Sequence, residues 1–150
     1  MKSLNILALD PSTTTGFCIL DHEGYGVLNL STKKGDSQGV KWLRLEKWLE
    51  ETCTLYNINL VAMERVSGRH HNGVEHHAKL LAIIELYCTK NNINYVQYSA
   101  TEIKKFATGK GNASKGEMIQ AAFNKFNYKG LDDNEADAIH IFSFAKHQFT

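Results

Sequence analysis

The stretch INLVAMERV, residues 58–66, is short and continuously apolar up to its acid, the character of a strand covered on both faces. A sheet containing such a strand needs helices on each side, which restricts the chain to layered α/β architectures. A second apolar run, Leu4 to Leu9, stops in the same way at Asp10, ahead of the only proline and the small-residue segment STTTG. An acid at the end of a buried strand is costly unless it is paired, so two of them in one chain mark a place of interest.

The rest of the chain supplies the expected layers. Phe17 to Leu20 and Tyr25 to Leu30 read as two further strands joined by the turn DHEG, forming a meander with the first. From about Ser37 the pattern turns helical, with Val40, Leu43, Leu45, Trp48, Leu49 and Cys53 recurring at three- and four-residue steps. A second helix is expected over roughly Glu75 to Lys90 and a fifth strand in INYVQYS. Capping-box pairs, Ser99 with Glu102 and Ser114 with Glu117, open two more helices, and a last one starts near Asp132 to Asn134. The order βββ-α-β-α-β-α-α-α predicts a mixed five-stranded sheet flanked by helices. A chain of 150 residues with 43% hydrophobic content suits one domain, 1–150, with a sizeable core.

Three cysteines, odd in number, far apart and without CxxC spacing, suggest neither a disulfide framework nor a zinc knuckle and fit a reducing cytosol. The N-terminal apolar stretch, broken by Asp10, is too short for a signal peptide or a membrane span. The net charge of +1 hides an uneven distribution: six basic against eight acidic residues in 1–64, eight against three in 65–115, three against five in 116–150. A basic middle between acidic ends suits a polyanion lying across carboxylates drawn from both ends, and equally suits scattered surface charge.

If the first and fourth strands are parallel neighbours, Asp10 and Glu64 emerge at one edge of the sheet, and a helix packed there adds Asp137 from DDNEADAIHIF. Hard oxygen donors of this kind select Mg²⁺ or Mn²⁺. Two such ions about 4 Å apart activate a water and stabilise the leaving oxygen of a phosphodiester. Each acid has a plainer role open to it: Asp10 initiating a turn, Glu64 pairing with Arg65 or Arg69, Asp137 lying on a solvated helix face. TGKGNAS lacks the order of a phosphate loop and follows a helix, so no nucleotide cofactor is expected; Lys110 and backbone amides there suit the approach of a polyanion instead.

The blocks LALDPSTTTGFCIL, LVAMERV, IKKFATGKGNASKGEMIQ and DDNEADAIHIF resemble, in order and separation across nearly the whole chain, the signature blocks of the RuvC-type Holliday junction resolvases of the RNase H-like superfamily. Compact length and departures from the cellular pattern are similar to the bacteriophage branch. The resemblance implies an RNase H-like fold and Mg²⁺-dependent hydrolysis of four-way and other branched DNA to 5′-phosphate and 3′-hydroxyl ends by a homodimer. It places Asp10, Glu64 and Asp137 on the metal-binding acids and Lys104 and Lys115 on the two functional lysines.

Two departures stand out. Asn134 occupies the position of a further acid or a His; its carbonyl oxygen can bind a metal without charge, and Asp133, four residues before Asp137, is a substitute ligand or a helix cap. After Glu64, Ser67 stands where an aromatic wedge is usual. Arg65, Arg69, His70 and His71 there, with Lys104, Lys105, Lys110 and Lys115, are candidate DNA contacts, the imidazoles by stacking on bases. The His pairs, including His76 and His77, lack the usual zinc-ligand spacing. Broader selectivity for forks and flaps is therefore expected. The competing readings are a non-catalytic module that binds branched DNA, kept open by Asn134, and an RNase H-type nuclease of hybrids.

Overall fold

The structure, a computed structural model, describes residues 3–19, 21, 24–67 and 72–150, residue 72 by its backbone. Its elements run β1 (Ile6–Asp10), β2 (Thr14–Ile19), β3 (Gly24–Asn29), α1 (Gly39–Leu55), β4 (Leu60–Glu64), α2 (Asn72–Lys90), β5 (Asn94–Tyr98), α3 (Ala100–Thr108), α4 (Lys115–Phe126) and α5 (Asp133–Phe149). The sheet order is β3-β2-β1-β4-β5, antiparallel from β3 to β1 and parallel from β1 to β5. This is the mixed five-stranded sheet flanked by helices that the residue pattern predicts. Helix α2 begins three residues before the expected Glu75, taking in Asn72 and Gly73, residues that by composition belong to a turn.

Strand alternation sorts the core into two layers. On one face, Ile6, Ala8, Leu60 and Ala62 pack with residues of α3, α4 and α5 such as Ile103, Met118, Ile139 and Phe142. On the other, Leu7, Leu9, Val61 and Met63 pack with Leu45, Leu49, Leu80 and Ile84 of α1 and α2. All of these are buried, so β1 and β4 are apolar on both sides for the reason given by their sequences.

The parity that puts Ile6 and Ala8 under α5 also puts Asp10 there. Leu9 pairs with Met63, so Asp10 and Glu64 occupy the next position on two parallel strands and face the same side. Helix α5 reaches that edge because β2 offers it no side chain at Gly16, the partner of Asp10 across the antiparallel pair. A Cβ on Gly16 would lie 2.0 Å from the carbonyl oxygen of Asn134, so only glycine lets the first turn of α5 rest on the sheet. The STTTG segment thus permits close approach, and the backbone that approaches is that of α5. Among the described residues no helix is long and apolar enough to cross a membrane.

Candidate active site

Strand ends and a helix face bring Asp10, Glu64 and Asp137 together. Asp10 is 7% exposed, whereas Glu64 and Asp137 are half-buried. Burial first, then the Asp137, Glu64, Asp133 and Asp132 carboxylates, raise Asp10 well above the ordinary carboxylate range. Asp137 is pushed up to about 7 by burial, then by Glu64 and Asp133, against the pull of Lys104 and Lys115. Burial raises Glu64 as well, and Lys104 partly offsets it. Carboxylates within reach of one another in a half-dry pocket resist ionisation, and a divalent cation bound among their oxygens relieves that resistance. The donor chemistry therefore fits a hard cation. Among the described residues no three His, Cys, Asp or Glu side chains already stand around one point as in a preformed chelate.

The fourth oxygen position is divided between two neighbours. Asn134 donates from Nδ2 to Thr14 Oγ1 at 3.0 Å, fastening the first turn of α5 to β2. Asp133 lies one turn before Asp137, acts electrostatically on both Asp10 and Asp137, and faces Lys115 Nζ at 3.6 Å. The helix cap that Asp133 was a candidate for belongs to Asp132, whose Oδ1 accepts from the Glu135 amide at 2.9 Å. Glu135 points away, as its place on the helix predicts, and accepts from the Tyr128 hydroxyl at 2.7 Å.

The cationic candidates separate into those that face the acids and those held elsewhere. Lys104, half-buried on α3, acts on Glu64 and Asp137, and Lys115, at the exposed start of α4, reaches Asp133. The stack of Tyr98, Phe144 and Phe106, with centroids 4.2 and 4.6 Å apart, locks α3 onto α5 and so holds Lys104 at the acids. Lys110 is paired with Glu117 at 2.6 Å, and Arg65 with Glu102 at 3.1 Å. That pair also alters the first capping box: Ser99 accepts the Glu102 amide, but the Glu102 carboxylate turns to Arg65 and the Ser99 hydroxyl instead of returning to the backbone. The Ser114–Glu117 box is complete. Lys105 and Ser67 are exposed.

Arg69, His70 and His71 lie outside the described residues. His76 sits 3.3 Å from Lys41 Nζ and against the Trp42 ring. His77 donates from Nε2 to the Glu64 carbonyl at 3.2 Å, a bond that steadies the strand end from α2. Residue patterning missed Thr14, His77 and Tyr128 as supports of the site. Only the small-residue segment STTTG carried a readable sign that another segment comes close.

A sheet of this order with acids at the ends of its central parallel strands and a lysine-bearing pair of helices beside them defines the class of RNase H-like phosphodiester nucleases. Comparison with known proteins narrows the class. The family model described as crossover junction endodeoxyribonuclease RuvC matches residues 6–142, and the chain belongs to that family, one of metal-dependent nucleases. A relative named crossover junction endodeoxyribonuclease RuvC, from Ehrlichia canis (strain Jake), is 25% identical over 92% of this chain and 93% of its own. The solved structure of T. thermophilus RuvC in complex with Holliday junction substrate superposes with a TM-score of 0.77 at 17% identity, covering 97% of each chain. Fowlpox virus resolvase, solved with substrate Holliday junction DNA, gives 0.58 at 13% identity over 95% of this chain and 99% of that one. At these identities the two structures speak for the fold.

Proposed function

We propose that residues 1–150 form one nuclease domain that hydrolyses phosphodiester bonds in branched DNA, four-way junctions foremost, with Mg²⁺ or Mn²⁺ held by Asp10, Glu64 and Asp137. The observation that carries this reading is the convergence of three carboxylates, drawn from β1, β4 and α5, at one edge of the sheet, where each bears on another's charge. Bound divalent cations supply a Lewis acid for the scissile phosphate and a water of lowered pKa. Asp133 is the fourth oxygen donor, because its carboxylate carries charge and already bears on Asp10 and Asp137, while Asn134, held through Nδ2 by Thr14, offers only a neutral carbonyl oxygen.

The chain's own groups do the rest. The acids fix where the phosphate and the water sit. Lys104, half-buried beside Glu64 and Asp137, bears on the charge that develops on the phosphate, and exposed Lys115 meets the neighbouring backbone. Lys105, Lys110 and Arg65 line the approach, where phosphate contacts set position more than sequence. Water is the nucleophile, leaving 5′-phosphate and 3′-hydroxyl ends. A junction offers two equivalent strands, and two copies of this chain acting as a homodimer supply one site to each. The cytoplasm is the compartment that three buried thiols outside any disulfide suit.

The deciding experiment incubates the protein with labelled four-way junction, forked DNA and RNA–DNA hybrid, with Mg²⁺, with Mn²⁺ and with chelator. Divalent-dependent nicking of the branched DNA, lost in Asp10→Asn while junction binding persists, is the expected result. Binding without nicking would make the chain a non-catalytic junction binder, and cleavage of the hybrid alone would make it an RNase H.

A further inference from the structure

We infer that Tyr128 is a positioning residue for the acids of α5. The inference rests on the function just proposed and extends it to a side chain that touches neither DNA nor metal.

Tyr128 is 2% exposed and follows the left-handed residue Asn127 that closes α4, where its own amide donates to the Ala122 carbonyl at 3.3 Å. Its place is therefore set by α4 before α5 begins. The ring meets Tyr25 of β3 edge-on at 5.1 Å between centroids. The hydroxyl accepts from the Asp132 amide at 3.1 Å and donates to Glu135 Oε1 at 2.7 Å, and the Asp132 carbonyl lies 3.1 Å away. With the bond from the Glu135 amide to Asp132 Oδ1, these contacts close a ring of three hydrogen bonds through one phenol, the helix cap and the third residue of α5. Gly130 leaves space for it, since a Cβ there would stand 2.3 Å from the Tyr128 oxygen.

The ring encloses the turn from which Asp133 projects, one turn before Asp137. Gly16 sets how close that turn lies to the sheet, and the Thr14–Asn134 bond prevents it from sliding along β2. Core packing of Ala136, Ile139 and Phe142 sets the rotation of the helix as a whole. The Tyr128 ring adds a local constraint on its first turn, because it grips the cap backbone and the Glu135 side chain. Groups that orient metal ligands from behind change cation affinity by about tenfold or more when removed.

The test is Tyr128→Phe, which keeps the aromatic ring and removes the oxygen. The expected result is a rise of about tenfold in the half-saturating Mn²⁺ concentration, both for nicking and for direct Mn²⁺ binding followed by calorimetry without DNA. Junction affinity should stay within about twofold of the parent. Glu135→Gln, which keeps an acceptor for the phenol, should remain near the parent, and Glu135→Ala should follow Tyr128→Phe. This pair decides the matter if Tyr128→Phe does not fold. Tyr98→Phe provides the matched control, removing a phenol oxygen bonded to Gln148 near the other end of α5. An unchanged Mn²⁺ midpoint in Tyr128→Phe, or an equal shift in Tyr98→Phe, overturns the assignment. A failure of the nuclease reading shows separately, as a parent protein that never nicks with divalent ions.

Discussion

β1 and β4 run side by side, and their two ends carry polar residues of opposite kind. Before their first residues the polar groups are amides that satisfy one another: the Asn5 amide donates to Asn59 Oδ1 at 2.8 Å, Asn5 Nδ2 to the Asn57 carbonyl at 3.0 Å, and Asn59 Nδ2 to the Ser3 carbonyl at 2.7 Å. At the far ends stand Asp10 and Glu64, each with its pKa raised by burial. Both ends belong to the same parallel pair. The first is architecture, neutral and closed on itself, whereas the second holds charge the fold would be more stable without. The contrast locates function by its energetic cost, since polar groups retained against stability need a reason outside folding.

The comparison can be broken most directly by Asp10→Asn. Nicking should fall by at least on the order of a thousandfold, while stability in chelator-containing buffer rises, because a carboxylate repelled by its neighbours is replaced by a neutral amide of equal size. A melting temperature that drops would mean that Asp10 is a structural partner like the asparagines. The next effect is in pH. A carboxyl whose pKa is higher in the folded than in the unfolded state stabilises the fold below its unfolded value and ceases to do so as pH rises through the folded one. For Asp137, raised to about 7, cation-free stability should fall between about pH 4 and pH 7, by on the order of 3 kcal/mol. Denaturant titrations across that range should show the slope, and Asp137→Asn or added Mn²⁺ should flatten it.

At the opposite end, Asn59→Ala removes two hydrogen bonds and should cost about 2 kcal/mol of unfolding free energy. The nicking rate per folded molecule should not change, so a rate loss there would erase the division between the ends. The smallest effect is expected from Arg65→Ala. Its pair with Glu102 is half exposed, so stability should move by less than about 1 kcal/mol in denaturant, and junction affinity should show a shallower salt dependence.

The legible part of this molecule is what lies within one element. Apolar runs ended by Asp10 and Glu64 announce buried parallel strands with acids at their tips, and the period of residues 136–145 announces a helix packed on them. Bonds between distant segments are not written in any local pattern. The Ser99–Glu102 spacing reads as a full capping box, but Arg65, 37 positions earlier, takes the carboxylate. Asn134 reads as a candidate metal ligand, and nothing near it in sequence tells that its Nδ2 also donates to Thr14, 120 positions away. Tyr128 looks like a loop aromatic, and its purpose is visible only with the start of α5 folded against it. Helix type and strand type follow from neighbours in sequence, and the rotation of one packed element against another does not.

Helix α5 follows every strand in chain order, and Asp137 comes from it. On the reading proposed here, a nascent chain emerging from a ribosome displays β1 and β4, with two of its three acids in place, long before it can cut anything. On the same reading, a fragment cut ahead of α5 keeps Asp10 and Glu64 but lacks the third acid, and should neither hold the cation nor nick DNA.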